Sequence, residues 1–535
     1  MNNIELGQMI DSEGILDYSK IEADVEKYVP ETNAGFIPIS GFKGFEKSCI
    51  RGDKELLKEQ IGSFLNYDNE LAGQIPLTYQ IKNIENGNYK LLIKLYSKED
   101  VSEAFLFIGR RRLVWRGSMK KGEIRTFECI ENISPIIPRY HTKAADDAGI
   151  DITLVGKGVY LSILKYEKWA GRTIYIAGDS TVTDQVGEYP FYPESNYCGW
   201  GQMLTAFTGT EYGVSNHAHS GLTTESFRSE GHYEIMYNLV KEGDICLFQF
   251  GHNDQKLEEL AADKGYRQNL ISYINEIRSK KAIPIIVTPL ARNTWFGNKD
   301  EYNDLLSEYD RVCHELGQEM NVEVIDLHLV SMNFVKELGR VGVKKYFHPD
   351  DFTHTNDFGA YLFAKYIYKA LSGQNLERLE AEWIPPENPR NSIVGDGGGD
   401  FDTILEELTN SVESDSYIKR YEALEIVIKA LKFFPTNVYN DLFTDVIGHE
   451  VYAGFIQCAS QNGILPDYVL KKDKFNPEEY ISIKEYLDYF TCGYRSRFGK
   501  TLSFENEDTK VSDNSGQVKG FEAISIIKKY LKKGN

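Results

Sequence analysis

The sequence predicts a multidomain protein with an N-terminal β-sandwich, a central α/β domain built on a parallel sheet, and a C-terminal α-helical region. The chain has 535 residues, too many for one ordinary domain. Apolar strand-like runs alternate with helical patterns in its middle part. A Pro-rich and then Gly-rich stretch separates this middle part from a more helical end. The predicted boundaries are 1–168 for the β-sandwich, 169–384 for the α/β domain, 385–402 for a linker and 403–535 for the helical region.

The N-terminal part contains short runs that are rich in aromatic and β-branched side chains, with Gly, Asn and Asp between them. Such partly alternating runs are typical of the strands of a sandwich. The clearest of them are Leu77–Ile81, Tyr89–Leu95, Ala104–Ile108 and Val159–Leu164.

The central part alternates strands with helices of about 10–15 residues, which predicts a parallel sheet with helices on both faces. The predicted strands are Thr173–Ala177, Gly213–Ala218, Asp244–Phe250, Ile283–Thr288 and Val322–Ile325. The predicted helices are Tyr233–Val240, Tyr266–Lys280, Tyr302–Leu316 and Phe358–Leu371. The linker follows with Pro385–Pro389 and Gly395–Asp400, and helical patterns such as Tyr417–Phe433 lie beyond it.

Composition argues against several classes of partner and compartment. A formal net charge of -20 disfavours nucleic acid and anionic membranes as partners. The seven cysteines are odd in number and scattered, and Cys246 lies in a predicted buried strand, so we expect reduced cysteine. Met1–Leu6 has neither a basic nor an apolar signal-peptide region, and no apolar run reaches the roughly 18–20 residues that span a bilayer. These features predict a cytoplasmic protein with no membrane insertion.

A candidate nucleophile lies just past the first strand of the α/β domain. Ser180, in Gly178-Asp179-Ser180-Thr181, projects from the sheet edge where open α/β folds bind their ligands. A serine hydroxyl needs a nearby base to take its proton. Asp351-Phe352-Thr353-His354 supplies one, because an Asp three residues before a His on a tight turn can hold the imidazole in one tautomer. We therefore predict a catalytic triad of Ser180, His354 and Asp351.

Two further segments complete the predicted site. Gly221 follows His217-Ala218-His219-Ser220, and Asn253 directly follows the strand that ends at Phe250. The backbone N–H groups of Ser180 and Gly221, with the side-chain amide of Asn253, predict an oxyanion hole, which stabilises the charge that develops on a carbonyl oxygen during acyl transfer.

These blocks carry a family resemblance. Gly178-Asp179-Ser180, Gly221, Gly251-His252-Asn253-Asp254 and Asp351-Phe352-Thr353-His354 resemble the four blocks of the SGNH (GDSL-type) hydrolases. Together with Gly199-Trp200-Gly201-Gln202 and Thr353-His354-Thr355-Asn356, they resemble the rhamnogalacturonan acetylesterase branch over residues 170–375. The resemblance implies a flavodoxin-like catalytic domain and a serine esterase that removes acetyl groups from pectic saccharides without metal or organic cofactor.

Substrate contacts and rival functions follow from the same segments. Trp200 and Tyr192 are candidate stacking residues, as is Tyr197, and Arg292 is a candidate partner for a uronic-acid carboxylate or a structural ion-pair residue. His217 and His219 alternate along a strand, but no third ligand lies nearby, so we expect no metal. Two alternatives stay open: an SGNH esterase or lipase acting on other small acyl esters, and a non-catalytic carbohydrate- or wall-binding protein.

The outer regions also carry resemblances. The N-terminal part is similar to the galactose-binding-like sandwiches that are often joined to sugar esterases. At the C-terminal end, Lys419–Ala423 and Lys519–Ala523 resemble the helix-opening motif of surface-layer homology (SLH) modules. Such modules imply contact with glycans or the cell wall and thus a cell-surface location, whereas the N-terminus predicts a cytoplasmic one; a helical appendage of unknown task is the alternative.

Overall fold

The computed structural model describes residues 2–4, 34–37, 76–137, 143–144, 149–156, 158–185, 187, 191–295, 301–348, 351–374, 376, 378–386, 415–433, 442–446, 451–505 and 515–533. Most of the predicted linker, residues 387–402, lies outside these ranges, and so does Cys49. The cysteines that the structure describes are free. None of the described helices is long and apolar enough to cross a bilayer.

Two antiparallel sheets form the N-terminal part. The first has the order β1 (Asn2–Ile4), β9 (Val159–Trp169), β4 (Gly87–Ser97) and β7 (Ile124–Ile133). The second has the order β2 (Ala34–Ile37), β3 (Leu77–Lys82), β8 (Gly149–Val155), β5 (Val101–Ile108) and β6 (Arg112–Met119). Along β4 buried side chains alternate with partly buried ones, as expected for a strand with one face toward a core. Leu91 and Ile93 of β4 share that core with Leu106 of β5 and Ile152 of β8 from the other sheet.

The central sheet is entirely parallel, as the sequence predicts. Its order is β11 (Gly213–Asn216), β10 (Thr173–Gly178), β12 (Ile245–Gln249), β13 (Ile283–Val287) and β14 (Glu323–Ile325). Counted from β10 this order is 2-1-3-4-5, the flavodoxin-like arrangement, in which ligands bind beyond the carboxyl ends of the strands near the first one.

Helices cover both faces of this sheet. Successive side chains of β10 point to opposite faces, and both sets are buried. Ile174 and Ile176 belong to one core and Tyr175 and Ala177 to the other. The helices of this part are α1 (Trp200–Met203), α2 (Thr205–Thr208), α3 (Ser226–Ser229), α4 (His232–Leu239), α5 (Arg267–Ser279), α6 (Ser307–Met320), α7 (Leu327–Gly342, broken at Gly339) and α8 (Asp357–Leu371).

The predicted helix Tyr302–Leu316 starts five residues too early. Tyr302 forms an isolated β-bridge with Trp295, and the Asp304 carboxylate accepts a hydrogen bond from the backbone N–H of Leu306. These contacts hold the chain out of helical geometry until Ser307, where α6 begins.

The N-terminal sheets and the central part share one hydrophobic core. Phe105 and Phe107 of β5 belong to the same cluster as Ile174 and Ile176 of β10. The Trp383 ring closes the cluster from the far end of the central part, with ring centroids 5.8 Å from Phe105 and 4.4 Å from Phe358. The two parts are therefore packed together as well as connected by the chain.

The C-terminal region has its own core, formed by residues between 418 and 531. Its helices are α9 (Arg420–Ala430), α10 (Val451–Gln461), α11 (Asp467–Leu470), α12 (Ile483–Phe498) and α13 (Gly520–Lys533). The segments before α9, α12 and α13 form a ring of backbone hydrogen bonds: Ile418 donates to Val518, Val518 to Ile481, and Ile481 to Ile418. Three helix starts are thus arranged about one centre.

Candidate functional site

The structure brings Ser180, His354 and Asp351 into one hydrogen-bonded row. Ser180 Oγ lies 2.7 Å from His354 Nε2, and His354 Nδ1 lies 2.8 Å from Asp351 Oδ2. Because a carboxylate only accepts, Nδ1 carries the proton and Nε2 is the acceptor that faces the serine hydroxyl. The His354 and Asp351 side chains are about one-fifth exposed, at 21% and 20%, so the row opens to solvent at one end.

The Asp351 carboxylate is held ionised. Burial alone would raise its pKa, but the charge and hydrogen bond of His354 outweigh burial and hold the pKa well below the ordinary value. Asp351 Oδ1 also accepts the backbone N–H groups of Thr353 and His354, at 2.7 and 2.9 Å. The carboxylate therefore fixes both the tautomer of the imidazole and the turn that carries it.

The turn that carries Ser180 depends on its two preceding residues. A Cβ at Gly178 would lie 2.7 Å from the carbonyl oxygen of Gln249, so only glycine fits this close approach. Asp179 is buried, and its Oδ1 accepts the backbone N–H and the hydroxyl of Thr181, at 2.9 and 2.7 Å. Asp179 Oδ2 lies 3.2 Å from His252 Nδ1. This carboxylate therefore holds the Ser180 turn through buried hydrogen bonds, a role that the sequence did not indicate.

The predicted oxyanion donors lie at the same sheet edge. The N–H of His219 donates to the Gly178 carbonyl, which brings the turn of Gly221 beside that of Ser180. Gly221 has a φ of +87°, a left-handed conformation that favours glycine. Asn253 Nδ2 donates to the Leu222 carbonyl at 3.0 Å and so joins the third segment to the second. All three segments follow carboxyl ends of neighbouring strands.

The prediction that Trp200 stacks on a sugar is wrong. Its side chain is fully buried, and its indole N–H donates to Gln249 Oε1 at 2.7 Å. Gln249 Nε2 in turn donates to the Thr181 hydroxyl at 2.7 Å. Trp200 thus lies beneath the Ser180 turn as part of a buried network.

Arg292 is also buried, and the prediction that it pairs with a substrate carboxylate fails for that reason. Its guanidinium donates to the Thr353 hydroxyl at 2.6 Å and to the His252 carbonyl at 3.1 Å. Among the described residues no carboxylate is in direct contact with it, and its hydrogen bonds support the Asp351–His354 turn. Tyr192 is partly exposed, and its contact with substrate stays a prediction.

Tyr197 lies against the imidazole of His354. Its ring meets the His354 ring edge-on at 5.5 Å between centroids, and it stacks on the His348 ring at 3.6 Å. Tyr197 therefore fixes the His354 ring from the side.

His217 and His219 serve separate local contacts. His217 Nε2 lies 2.9 Å from the Ser215 hydroxyl, and burial lowers its pKa to about 3. His219 Nδ1 donates to the Ser220 carbonyl, and its ring lies 5.1 Å from that of His232.

Arg111 is a further residue near this site that sequence reasoning missed. It comes from the turn between β5 and β6, is fully buried, and forms an ion pair in which its Nη1 donates to both carboxylate oxygens of Asp357, at 2.7 and 2.9 Å. The two residues are 246 positions apart, so no local pattern points to the pair.

Part of the chain is similar to known proteins. Residues 176–360 match the model of the GDSL-like lipase/acylhydrolase family. The rhamnogalacturonan acetylesterase RhgT of Bacillus subtilis is 31% identical over 211 residues, which cover 37% of this chain and 88% of that protein. The probable rhamnogalacturonan acetylesterase YesY of the same organism is 32% identical over 219 residues, or 39% of this chain and 96% of YesY. The crystal structure of Bacillus subtilis protein YxiM, 24% identical, aligns with 55% of this chain and 80% of its own, with a TM-score of 0.36.

Proposed function

This chain belongs to the GDSL-like lipase/acylhydrolase family and is a serine hydrolase that acts on ester bonds, and from that premise we propose that it removes acetyl groups from pectic, rhamnogalacturonan-type saccharides. The observation that carries the proposal is the hydrogen-bonded row from Ser180 through His354 to Asp351. Two relatives at 31% and 32% identity that are named as established or probable rhamnogalacturonan acetylesterases supply the acyl group and the substrate class.

The proposed reaction has two halves. Ser180 Oγ attacks the acetyl carbonyl while His354 Nε2 takes the hydroxyl proton. The bond between the carbonyl carbon and the sugar oxygen then breaks, and His354 returns its proton to that oxygen. Water, deprotonated by His354, then attacks the acetyl-enzyme. The bond between the acetyl carbon and Ser180 Oγ breaks, acetate leaves, and His354 returns the proton to Ser180 Oγ. Asp351 stays ionised throughout and stabilises the imidazolium that forms in each half.

The proposed oxyanion donors are the backbone N–H groups of Ser180 and Gly221 and the side-chain amide of Asn253. One N–H of that amide is used by the Leu222 carbonyl, which orients the group and leaves its second N–H for the carbonyl oxygen of the substrate. Each such donor typically contributes about 3–4 kcal/mol to transition-state stabilisation.

Lys256 replaces Arg292 as the proposed partner of a uronic-acid carboxylate. It is exposed, and its ammonium donates to Asn253 Oδ1 at 2.8 Å. A cation at this place attracts an acidic saccharide locally, although the whole chain carries a net charge of -20. The same contact polarises the Asn253 amide toward the developing oxyanion.

The test is acetate release from acetylated rhamnogalacturonan, acetylated xylan and short acetylated saccharides, with p-nitrophenyl acetate and octanoate as small esters. We expect the pectic substrate and the acetyl ester to be preferred. Ser180→Ala and His354→Ala should each lower kcat by about a thousandfold or more and should not be additive, because the triad acts as a unit. Ser220→Ala is the matched control on a neighbouring turn and should keep most of the activity.

Other results would redirect the assignment. Equal or faster turnover of the octanoate ester would favour the lipase alternative. Full activity of Ser180→Ala would remove the nucleophile assignment, and an inactive wild type would favour the binding-protein alternative. Lys256→Gln should raise KM for the acidic saccharide and leave KM for p-nitrophenyl acetate close to that of the wild type; unchanged saccharide KM would remove Lys256 from the substrate site.

The outer regions are proposed to bring the enzyme to glycan. The shared core of the two N-terminal sheets suits a galactose-binding-like sandwich, and the ring of three helix starts in the C-terminal region suits a set of SLH-like repeats. In that case the pectic substrate or the cell wall is the partner of these regions.

A further inference from the structure

The turn between β5 and β6, together with the first residue of β6, brings three consecutive arginines into contact with the central part of the protein. Arg110 and Arg112 reach the Asp184 carboxylate, with closest atoms at 3.3 and 3.0 Å, and Arg112 Nη1 also donates to the Val214 carbonyl at 3.0 Å. Arg111 goes deeper and has no exposed surface. The N-terminal sheets therefore contact the central part through a buried, charged turn in addition to the shared apolar core.

The guanidinium of Arg111 is fully used. Nη1 donates to both oxygens of Asp357; Nη2 donates to the Tyr197 carbonyl at 2.6 Å and to Gln202 Oε1 at 3.1 Å; Nε donates to the Gln185 carbonyl at 3.4 Å. Lysine, with a single ammonium, cannot supply this planar set of donors. The site is thus specific for arginine.

Three of the four partners of Arg111 lead to a member of the triad. Asp357 is the first residue of α8 and follows His354 by three positions. Tyr197 holds the His354 ring edge-on. Gln185 donates its amide to the Ser180 carbonyl at 2.8 Å. One side chain from the N-terminal sheets therefore joins the segment that carries the nucleophile to the segment that carries the base.

Two further observations concern the backbone conformation of Arg111 and the charge of Asp357. Arg111 has a φ of +60°, a left-handed conformation that is uncommon for a residue other than glycine and that the surroundings must stabilise. Burial raises the pKa of Asp357 to about 6, and the charge and hydrogen bonds of Arg111 work against this rise. The carboxylate needs its arginine to stay ionised in this place.

We propose that Arg111 is a positioning residue of the catalytic triad, which sets the distance between Ser180 and His354 without touching substrate, so that the N-terminal sheets are part of the hydrolytic machinery. This inference rests on the proposed roles of Ser180 and His354. If Arg111 positions the triad, loss of its guanidinium lowers kcat even where the fold is intact. An ion pair that only stabilises the fold would not have this effect.

The experiment uses the full chain with Arg111→Met, Arg111→Lys and the double variant Arg111→Met/Asp357→Leu. The double variant replaces a buried ion pair with apolar side chains, which often restores stability, but it cannot restore the bonds to the Tyr197 and Gln185 carbonyls. Asn88→Ala is the matched control: Asn88 also belongs to the N-terminal sheets, and its amide donates to the Thr173 hydroxyl at the opposite end of β10, at 2.8 Å.

The readouts are kcat and KM for p-nitrophenyl acetate and the urea midpoint of unfolding. We expect Arg111→Met to lower kcat by about a hundredfold, the cost of a roughly 1 Å misplacement of catalytic groups, with KM within a few-fold of wild type. The kcat of Arg111→Lys should lie between those of Arg111→Met and the wild type. The double variant should recover the midpoint but not kcat, and Asn88→Ala should keep the wild-type kcat.

Wild-type kcat in the folded double variant or in Arg111→Met would overturn the proposal. So would an equal loss in Asn88→Ala, which would indicate general loosening of the two parts, or failure of all three Arg111 variants to fold, which would make the residue purely structural. Failure of the proposed function is a separate result, since the wild type would then show no turnover that depends on Ser180.

Discussion

Replacing Trp200 with phenylalanine tests whether this indole supports the Ser180 turn from inside or contacts substrate. The indole N–H donates to Gln249 Oε1 at 2.7 Å, and Gln249 Nε2 donates to the Thr181 hydroxyl at 2.7 Å. Thr181 then donates to Asp179. Phenylalanine keeps an aromatic ring in the core but removes the first donor of this chain.

The expected loss of stability has two parts. Gln249 Oε1 loses its partner in a fully buried place, which costs about 1–3 kcal/mol. The smaller ring leaves a cavity next to a core that includes Met203 and Val214, and the missing atoms add about 1 kcal/mol. The total is about 2–4 kcal/mol of unfolding free energy, because the two losses affect different atoms of the same side chain.

The assay combines urea unfolding with KM for an acetylated pectic oligosaccharide. We expect a lower urea midpoint and an unchanged KM for Trp200→Phe. Tyr192→Ala is the control at a partly exposed position, where we expect the reverse: a small change of midpoint and a higher KM. A Trp200→Phe variant with wild-type stability and a strongly raised KM would refute the burial argument and return the indole to the substrate site.

Three further measurements test other parts of the structure. Burial lowers the pKa of His217 to about 3, so below pH 6.5 the unfolded chain binds a proton at this residue and the folded chain does not. The free energy of unfolding should therefore fall as the pH drops from about 6.5 to 3, by about 1.4 kcal/mol per pH unit. The slope should be smaller in His217→Gln, and equal slopes in the two proteins would contradict this. The effect of His314 on stability has the opposite pH dependence, since hydrogen bonds and charges of Asp310 and Asp326 raise its pKa to about 10. Its contribution to the free energy of unfolding is complete below pH 6.5 and is lost toward pH 10. His314→Gln should therefore lower the melting temperature at pH 6 and much less at pH 10. Deletion of residues 401–535 should leave kcat on p-nitrophenyl acetate within about twofold, because that region has its own core; a folded truncation without activity would place part of the active site in the C-terminal region.

The sequence predicted the parts of the fold and site that depend on local patterns. The strand before Ser180 is continuously apolar because it is buried on both faces, and this pattern is visible without a structure. The Asp351–His354 spacing likewise encodes its own turn, since the carboxylate accepts the backbone N–H groups within that turn.

The sequence-based predictions failed for side chains whose role depends on burial by distant parts of the chain. Trp200 and Arg292 have side chains that suit saccharide binding, and no local pattern indicates that the fold buries both. Arg111 and Asp357 find each other across 246 positions. Such pairs follow from how two parts of the chain pack, which residue types alone do not specify.

The Trp383 ring, closed over Phe105 and Phe358, has a consequence for how the molecule melts. It joins the end of the central part to a strand near the beginning of the chain, so neither part can lose its packing without exposing the other. We therefore expect the N-terminal sheets and the central part to unfold as a single cooperative unit in calorimetry, although the topology divides them. Residues 418–531 have a core of their own, so we expect a second heat-absorption peak from them, and two transitions in all where the order of domains along the chain suggests three.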